Sequence, residues 1–338
     1  MTTALVTGAT GFIGHHVARD LLDHGWHVRA LVRPASMDDH RWPVDAEPIS
    51  GELVDPAAVL EAARGCDAII HVAAHYSLAR HQARQVERTN LAGTANVIAA
   101  AAASGAKLVH TSSVATIGLP TDGAAGDEDT PLDPALVVGA YKQSKLASER
   151  LVLQAARDGV WATVVNPSAP VGPGDWKPTP TGRIITDFMR GRMRAYIDTG
   201  LNVVDVRDVA AGHRLALEHG RPGRRYILGN QNMTLHEILQ ALADITGRPA
   251  PTRRIPHTIA IAVAAVSELV EGQVLRREPF APLDGARMAR KRMFYSSGRA
   301  VDELGLPQSS VADALHDAVA WWQRAATPSI GTPVGTAR

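Results

Sequence analysis

The chain has 338 residues, 45% hydrophobic and 20% charged, enough for one large globular domain with a smaller lobe. A net charge of +1 gives no electrostatic reason to expect a nucleic-acid partner, and the single cysteine, Cys66, excludes an internal disulfide or a cysteine-built zinc site. The longest apolar run, Ile259 to Val266, falls far short of the roughly 20 residues that cross a bilayer.

Ala4-Leu5-Val6 reads as a strand, and Thr7-Gly8-Ala9-Thr10-Gly11-Phe12-Ile13-Gly14 as a turn into a helix whose stripe carries Val17, Ala18, Leu21 and Leu22. Glycines at positions 8, 11 and 14 let the chain turn sharply, let a ligand approach the backbone, and aim the helix's free N–H groups at an anion. A dinucleotide pyrophosphate is the expected occupant, with Gly8, Gly11, Phe12, Ile13 and Gly14 around it. Val28 to Val32 is the second strand, and the residue after it falls where an adenine ribose would lie. Arg33 stands there. A carboxylate would suit the free 2′-hydroxyl of NAD(H), whereas an arginine suits a 2′-phosphate, so NADP(H) is the favoured cofactor and NAD(H) the alternative.

An irregular stretch leads to a third strand near Ala46 to Ile49, with Glu52 and Leu53 expected beside the adenine and Asp55-Pro56 opening a helix. Ala68 to Val72 is a fourth strand ending in Ala73-Ala74, small enough for a cofactor to pass close to the backbone. His71 and His75 share no helical face and form no metal pair; His71 reads as a core histidine and no metal is expected. Helical spacing from Gln85 to Ser104, carrying Asn90, precedes a fifth strand, Lys107 to Thr111, that ends in Ser112-Ser113. After a Gly/Asp/Pro-rich surface loop, Asp122 to Pro134, Tyr141-Lys142-Gln143-Ser144-Lys145 opens another helix, and Val160 to Val165 is a sixth strand leading to Asn166-Pro167.

Beyond Pro167 the alternation loosens. Gly172 to Gly182 looks like a pocket loop, followed by helices at Ile184 to Arg190, Asp208 to Glu218, Thr234 to Thr246, His257 to Val270 and Val311 to Arg324, with strands at Val203 to Val206 and Tyr226 to Leu228. Ala325 to Arg338 has little to bury and reads as a disordered tail. Strands alternating with helices imply an α/β, Rossmann-type doubly wound parallel sheet over residues 1–166, then a smaller α/β substrate lobe over 167–325 that returns some elements to the core, then the tail 326–338. Ligands bind at the carboxyl ends of such strands, which gathers Gly8 to Gly14, Arg33, Ala73-Ala74, Ser113 and Pro167 along one edge.

Tyr141 and Lys145, four residues apart, share a helix face. A tyrosine serves as acid or base near neutrality only if its pKa, about 10, is drawn toward 7, which requires about 4 kcal/mol of preferential phenolate stabilisation. The Lys145 ammonium and an oxidised nicotinamide are the available sources, and Lys145 can also reach the nicotinamide ribose. Ser113 is placed to orient a substrate oxygen toward Tyr141.

These stretches, Thr7 to Gly14, His71 to Ala74, Thr111 to Ser113 and Tyr141 to Lys145, resemble the extended short-chain dehydrogenases/reductases over about residues 2 to 325. The resemblance implies a Rossmann core of about seven strands, a Ser113–Tyr141–Lys145 catalytic triad with Asn90 as a fourth relay member, and a homodimer. Nucleotide-sugar members carry Arg-Asp-Phe where this chain has Leu201-Asn202-Val203, so the phosphate clamp those members use is missing here. Arg33 matches the dihydroflavonol-reductase-like branch, and Asn166 to Gly172, Lys177 to Arg183 and Ala289 to Phe294 resemble the bacterial group named hopanoid-associated sugar epimerases. A ribose-bearing hopanoid or other small-molecule or lipid-linked substrate is the expectation that follows, with Ile259, Ile261, Val263 and Val266 as candidate lipid contacts. An ordinary core helix is the simpler reading of those four. The basic cluster Arg287, Arg290, Lys291 and Arg292 reads first as a solvated face, and otherwise as a contact for an anionic substrate group or a lipid surface.

The expected activity is NADP-dependent hydride transfer between nicotinamide and a carbonyl or alcohol carbon. The alternatives are a sugar epimerase holding its NAD(P) tightly and, in another class, a non-catalytic dinucleotide sensor. Because the first strand starts directly after Met1-Thr2-Thr3, leaving no signal peptide, a cytoplasmic protein is expected, with peripheral contact at the inner membrane face as an addition.

Overall fold

The computed structural model describes residues 2–39, 41–75, 82–133, 137, 139–267 and 291–326. Seven parallel strands form the main sheet: β1 (Thr3–Thr7), β2 (His27–Val32), β3 (Glu47–Ser50), β4 (Ala68–His71), β5 (Lys107–Thr111), β6 (Ala162–Pro167) and β9 (Arg225–Leu228), in the order β3-β2-β1-β4-β5-β6-β9. The buried runs of β1, β4 and β6 are apolar on both faces because helices cover both sides. On one face, α1 (Phe12–Asp23) packs against α6 (Val206–Glu218); on the other, α2 (Pro56–Ala63), α3 (Ala83–Ser104) and α4 (Ala140–Arg157) form a second layer. Strand order reverses between β1 and β4, which opens a crevice at their carboxyl ends.

A second sheet lies in the C-terminal half. Its central strand, β8 (Gly200–Asp205), pairs with β7 (Ala169–Val171) and β11 (Arg292–Met293) in parallel and with β10 (Gln231–Thr234) antiparallel. Around it pack α5 (Pro180–Met189), α7 (Leu235–Thr246) and the last helix, α10 (Val311–Ala326). A Thr234–Glu237 capping box starts α7, and Gly247 ends it in the left-handed conformation. The expected helix from His257 is α8 (His257–Ser267); a short helix, α9 (Gly298–Leu304), completes the order.

Three strands and one helix were not expected from the sequence: β7, β10, β11 and α9, none longer than seven residues. Runs this short carry too few alternations to register as a period. Of the candidate lipid contacts on α8, Ile259, Ile261 and Val263 do not line the central cleft. Ile259 and Val263 instead stand 51% and 52% exposed at the surface, while the side chain of Val266 lies outside the described residues. Arg287, Arg290 and residues 327–338 of the expected tail also lie outside them, whereas Ala325 and Ala326, expected in that tail, complete the last turn of α10. Asp208 accepts from both the backbone N–H and the hydroxyl of Ser309, tying α6 to the chain before α10. Among the described residues no helix is long and apolar enough to cross a membrane, and no group of three His, Cys, Asp or Glu is placed to hold a metal.

Candidate active site

The crevice at the strand ends opens into one cleft of about 2480 Å³ between the main sheet and the C-terminal half. Its floor begins at the glycine turn. Gly8 has φ +78°, and a Cβ there would stand 2.8 Å from the Ala73 backbone nitrogen; one on Gly14 would stand 2.1 Å from the Gly8 carbonyl oxygen. Only bare backbone lets the turn, the helix start and the end of β4 meet this closely. Gly11 caps α1 without a side-chain hydrogen bond, so the first-turn N–H groups face the cleft. This cradle fits a pyrophosphate in size and sign. Phe12, Ile13, Ala73, Ala74 and Pro167 line the same cleft.

Arg33, directly after β2, donates to Ser36 Oγ at 3.5 Å. Ser36 and Arg41 line the cleft beside it. The sequence singled out Arg33 alone; its companions lie in an irregular connection that carries no periodic signal. Glu52 and Leu53 also line this end, with Leu53 packed over Gly93 of α3.

At the other side stand Ser113, Tyr141 and Lys145, all lining the cleft. Ser113 Oγ accepts from Ala115 N–H at 3.2 Å and so starts the short turn Val114–Thr116. Tyr141 occupies the first turn of α4. One turn on, Lys145 is buried, its Nζ donating to the Thr111 carbonyl at 2.8 Å. Burial pulls its pKa down to about 8, and the nearby Glu149 carboxylate partly offsets that fall.

Glu149, another turn along α4, was not singled out from the sequence. It is buried, and its carboxylate accepts from Thr116 Oγ1 at 2.7 Å, from Asn166 Nδ2 at 2.9 Å and from Arg225 Nη1 at 3.2 Å. A charged residue on an amphipathic helix reads as solvent-facing, so only the fold reveals it.

Asn90 lies behind the wall. Its Oδ1 accepts from His75 N–H at 2.7 Å, and its Nδ2 donates to Ser144 Oγ at 2.9 Å and to the His75 carbonyl at 3.2 Å. It thereby joins α3 and α4 to the loop after β4. Three buried histidines underlie the same strand ends. His71 bonds Thr7 Oγ1 at 2.8 Å, His213 bonds Thr111 Oγ1 at 2.8 Å, and among the described residues His110 has no hydrogen-bond partner on either ring nitrogen. Burial lowers all three, His71 to about 3 and His213 to about 4.

The pocket loop expected from Gly172 to Gly182 reaches across the cleft. Trp176 Nε1 donates to the Thr10 carbonyl of the glycine turn at 3.3 Å, and His16 of α1 donates to the Pro173 carbonyl at 2.8 Å. The Trp176 ring also meets His15 edge-on at 5.4 Å and Trp321 at 6.4 Å.

The profile of the NAD dependent epimerase/dehydratase family matches residues 4–229. A Synechocystis protein provisionally named dihydroflavonol 4-reductase is 46% identical over 323 residues, 94% of either chain. Sterol demethylase protein B of Methylococcus capsulatus is 34% identical over 325 residues, 95% of this chain and 98% of that one. The crystal structure of gox2253 has the same fold, with a TM-score of 0.85 at 41% identity over 96% of this chain and 99% of that one. Relatives that run nearly its full length, on a sheet that opens at a glycine-built crevice, make the chain a member of the NAD dependent epimerase/dehydratase family, the extended short-chain dehydrogenases/reductases, in its dihydroflavonol-reductase-like branch, and an enzyme that works with a nicotinamide dinucleotide.

Proposed function

We propose that the protein is an NADP(H)-dependent oxidoreductase that interconverts a carbonyl and an alcohol on a hopanoid-linked or other sugar-derived substrate. The observation that carries this reading is the shared cleft: Ser113, Tyr141 and Lys145 line the wall opposite the glycine cradle. When bound, the dinucleotide supplies or accepts the hydride. Tyr141 gives the proton to the oxygen of the reduced carbonyl, or takes it in reverse. Ser113 holds that oxygen by a hydrogen bond, and Lys145 contributes positive charge beside the phenol. Asn90 acts by positioning, since it holds the α3–α4 contact and the His75 loop beside the cleft.

Arg33, Ser36 and Arg41 support a 2′-phosphate at the adenosine end, and hence NADP(H) over NAD(H). The relative named dihydroflavonol 4-reductase agrees with a reductase. A second reading, a sugar epimerase that keeps its cofactor, is favoured by one feature: Trp176 and His16 tie the pocket loop to the glycine turn on which the pyrophosphate would sit. Exchange of the dinucleotide would then be slow.

The test is a titration of purified protein with NADPH and NADH, followed by aldehydes, ketones and ribosylated lipids. The proposal expects tighter NADPH binding, stoichiometric loss of the reduced-nicotinamide absorbance, and an Arg33→Ala variant that loses about tenfold in NADPH affinity with NADH affinity unchanged. Equal affinities would remove the assignment to NADP(H). Sustained turnover of a sugar without net loss of that absorbance would replace the reductase with the epimerase.

A further inference from the structure

The whole chain is nearly neutral, with 35 basic and 34 acidic residues, but the cleft is not. Among the described residues beyond 167 it is lined by five basic side chains, Lys177, Arg183, Arg192, Arg194 and Lys291, against one acid, Asp187. That acid is already engaged, with Arg192 Nη1 at 3.6 Å from its Oδ1. The dinucleotide phosphates are served elsewhere, by the glycine turn, so this charge faces the substrate's end of the cleft.

On two adjoining segments the charged side chains are divided between the cleft and the outer surface, with Arg194 and Ala195 both on the cleft side. Ala195, Ile197, Thr199 and Leu201 all face the cleft, whereas Asp198 between them faces away and takes Arg254 Nη2 at 2.8 Å and Arg292 Nη2 at 3.1 Å. On the neighbouring segment Lys291, Met293 and Tyr295 face inward and Arg292 outward. Thr199 Oγ1 donates to the Lys291 carbonyl at 3.2 Å, fastening the two segments together. The local acid therefore neutralises the outward arginines. Among the described residues the exposed side chains of Arg194 and Lys291 have no ion-pair partner, and the lining beside them is mainly apolar, Ile197, Leu201 and Met293, with Thr199 and Asn202 as its polar members.

We infer that Arg194 and Lys291 form an oxyanion-binding rim above an apolar floor, so that the substrate is an amphiphile carrying a carboxylate or a phosphate ester rather than a neutral lipid. The inference deepens the proposed function and rests on its placement of the substrate in this cleft. The rim would substitute for the arginine clamp missing at Leu201, drawing its cations from different elements. Leu201 then belongs to the floor.

Calorimetry on the protein saturated with NADP⁺, which cannot reduce a ligand, tests the rim without turnover. The probes are octanoate, octyl phosphate and octanol. At least one of the two anions should bind about tenfold more tightly than octanol, with an advantage that shrinks as salt rises. The stronger of the two identifies the oxyanion. An Arg194→Gln/Lys291→Gln variant should erase the advantage and leave octanol and NADP⁺ binding unchanged, whereas Arg194→Lys/Lys291→Arg should keep it. Equal binding of all three probes, or a preference that survives in the glutamine variant, overturns the inference even if NADPH-dependent ketone reduction is found. Anion preference without reduction of any carbonyl leaves the rim in place and removes the reductase reading instead.

Discussion

Lys145 and Glu149 occupy successive turns of one helix and are both buried, and the carboxylate partly offsets the fall that burial imposes on the lysine. Lys145 would keep its proton in the free enzyme only below about pH 8. Accordingly kcat/KM for reduction, which reports ionisations of the free enzyme, should fall as pH rises through about 8, when the Lys145 ammonium is lost. Other titratable groups face this pair. His71 and His110 lie near Lys145 but are held neutral by burial, while Arg225 faces Glu149 from β9. Removing the carboxylate in Glu149→Gln takes away an interaction that favours the charged lysine, so the fall should move to lower pH. A rate loss with an unmoved pH profile would reduce Glu149 to a packing role.

At the scale of elements, the cradle was legible and the latch was not. The glycine turn announces itself because backbone contacts as short as those around Gly14 tolerate only one residue type, and Tyr141 and Lys145 because a helix repeats every four residues. Strand ends are marked by small residues, which placed Ala73, Ser113 and Pro167 on one edge. The partners of Trp176 come from residues more than a hundred positions away, and no local period encodes such a contact. The same holds for Glu149, joined to Arg225 and Asn166 only by the fold. In the pocket loop, Trp176→Ala should speed NADPH dissociation and weaken its binding severalfold, while the thermal midpoint changes little because Trp176 is only part-buried. Stopped-flow displacement measures both constants, and an unchanged dissociation rate would mean that the loop does not retain the cofactor.

Across the whole molecule, the buried histidines set an acid limit. Their folded pKa values lie below the ordinary 6.5, so the unfolded chain binds protons that the fold cannot. Stability is therefore intact above about pH 6.5 and drains as pH falls toward 4, each histidine contributing a slope of up to about 1.4 kcal/mol per pH unit. Thermal midpoints should drop steeply between pH 6.5 and 4, and His110→Phe, which removes two unpartnered nitrogens, should soften the drop. A flat profile for the parent protein over that interval would contradict the burial of these rings. The positions of His71, His110 and His213 on β4, β5 and α6 also place this cluster beneath Lys145, so the acid limit and the active-site wall share one part of the fold.

In the proposed reaction a proton from Tyr141 accompanies hydride transfer in this cleft. Tyr141→Phe removes one hydroxyl and leaves the ring, so the measurement is a paired one: NADPH affinity, and single-turnover oxidation of bound NADPH by the best carbonyl substrate. Affinity should stay within about twofold of the parent while the rate falls by roughly 10²- to 10⁴-fold. A variant that oxidises NADPH at the parental rate would contradict the proposed reaction.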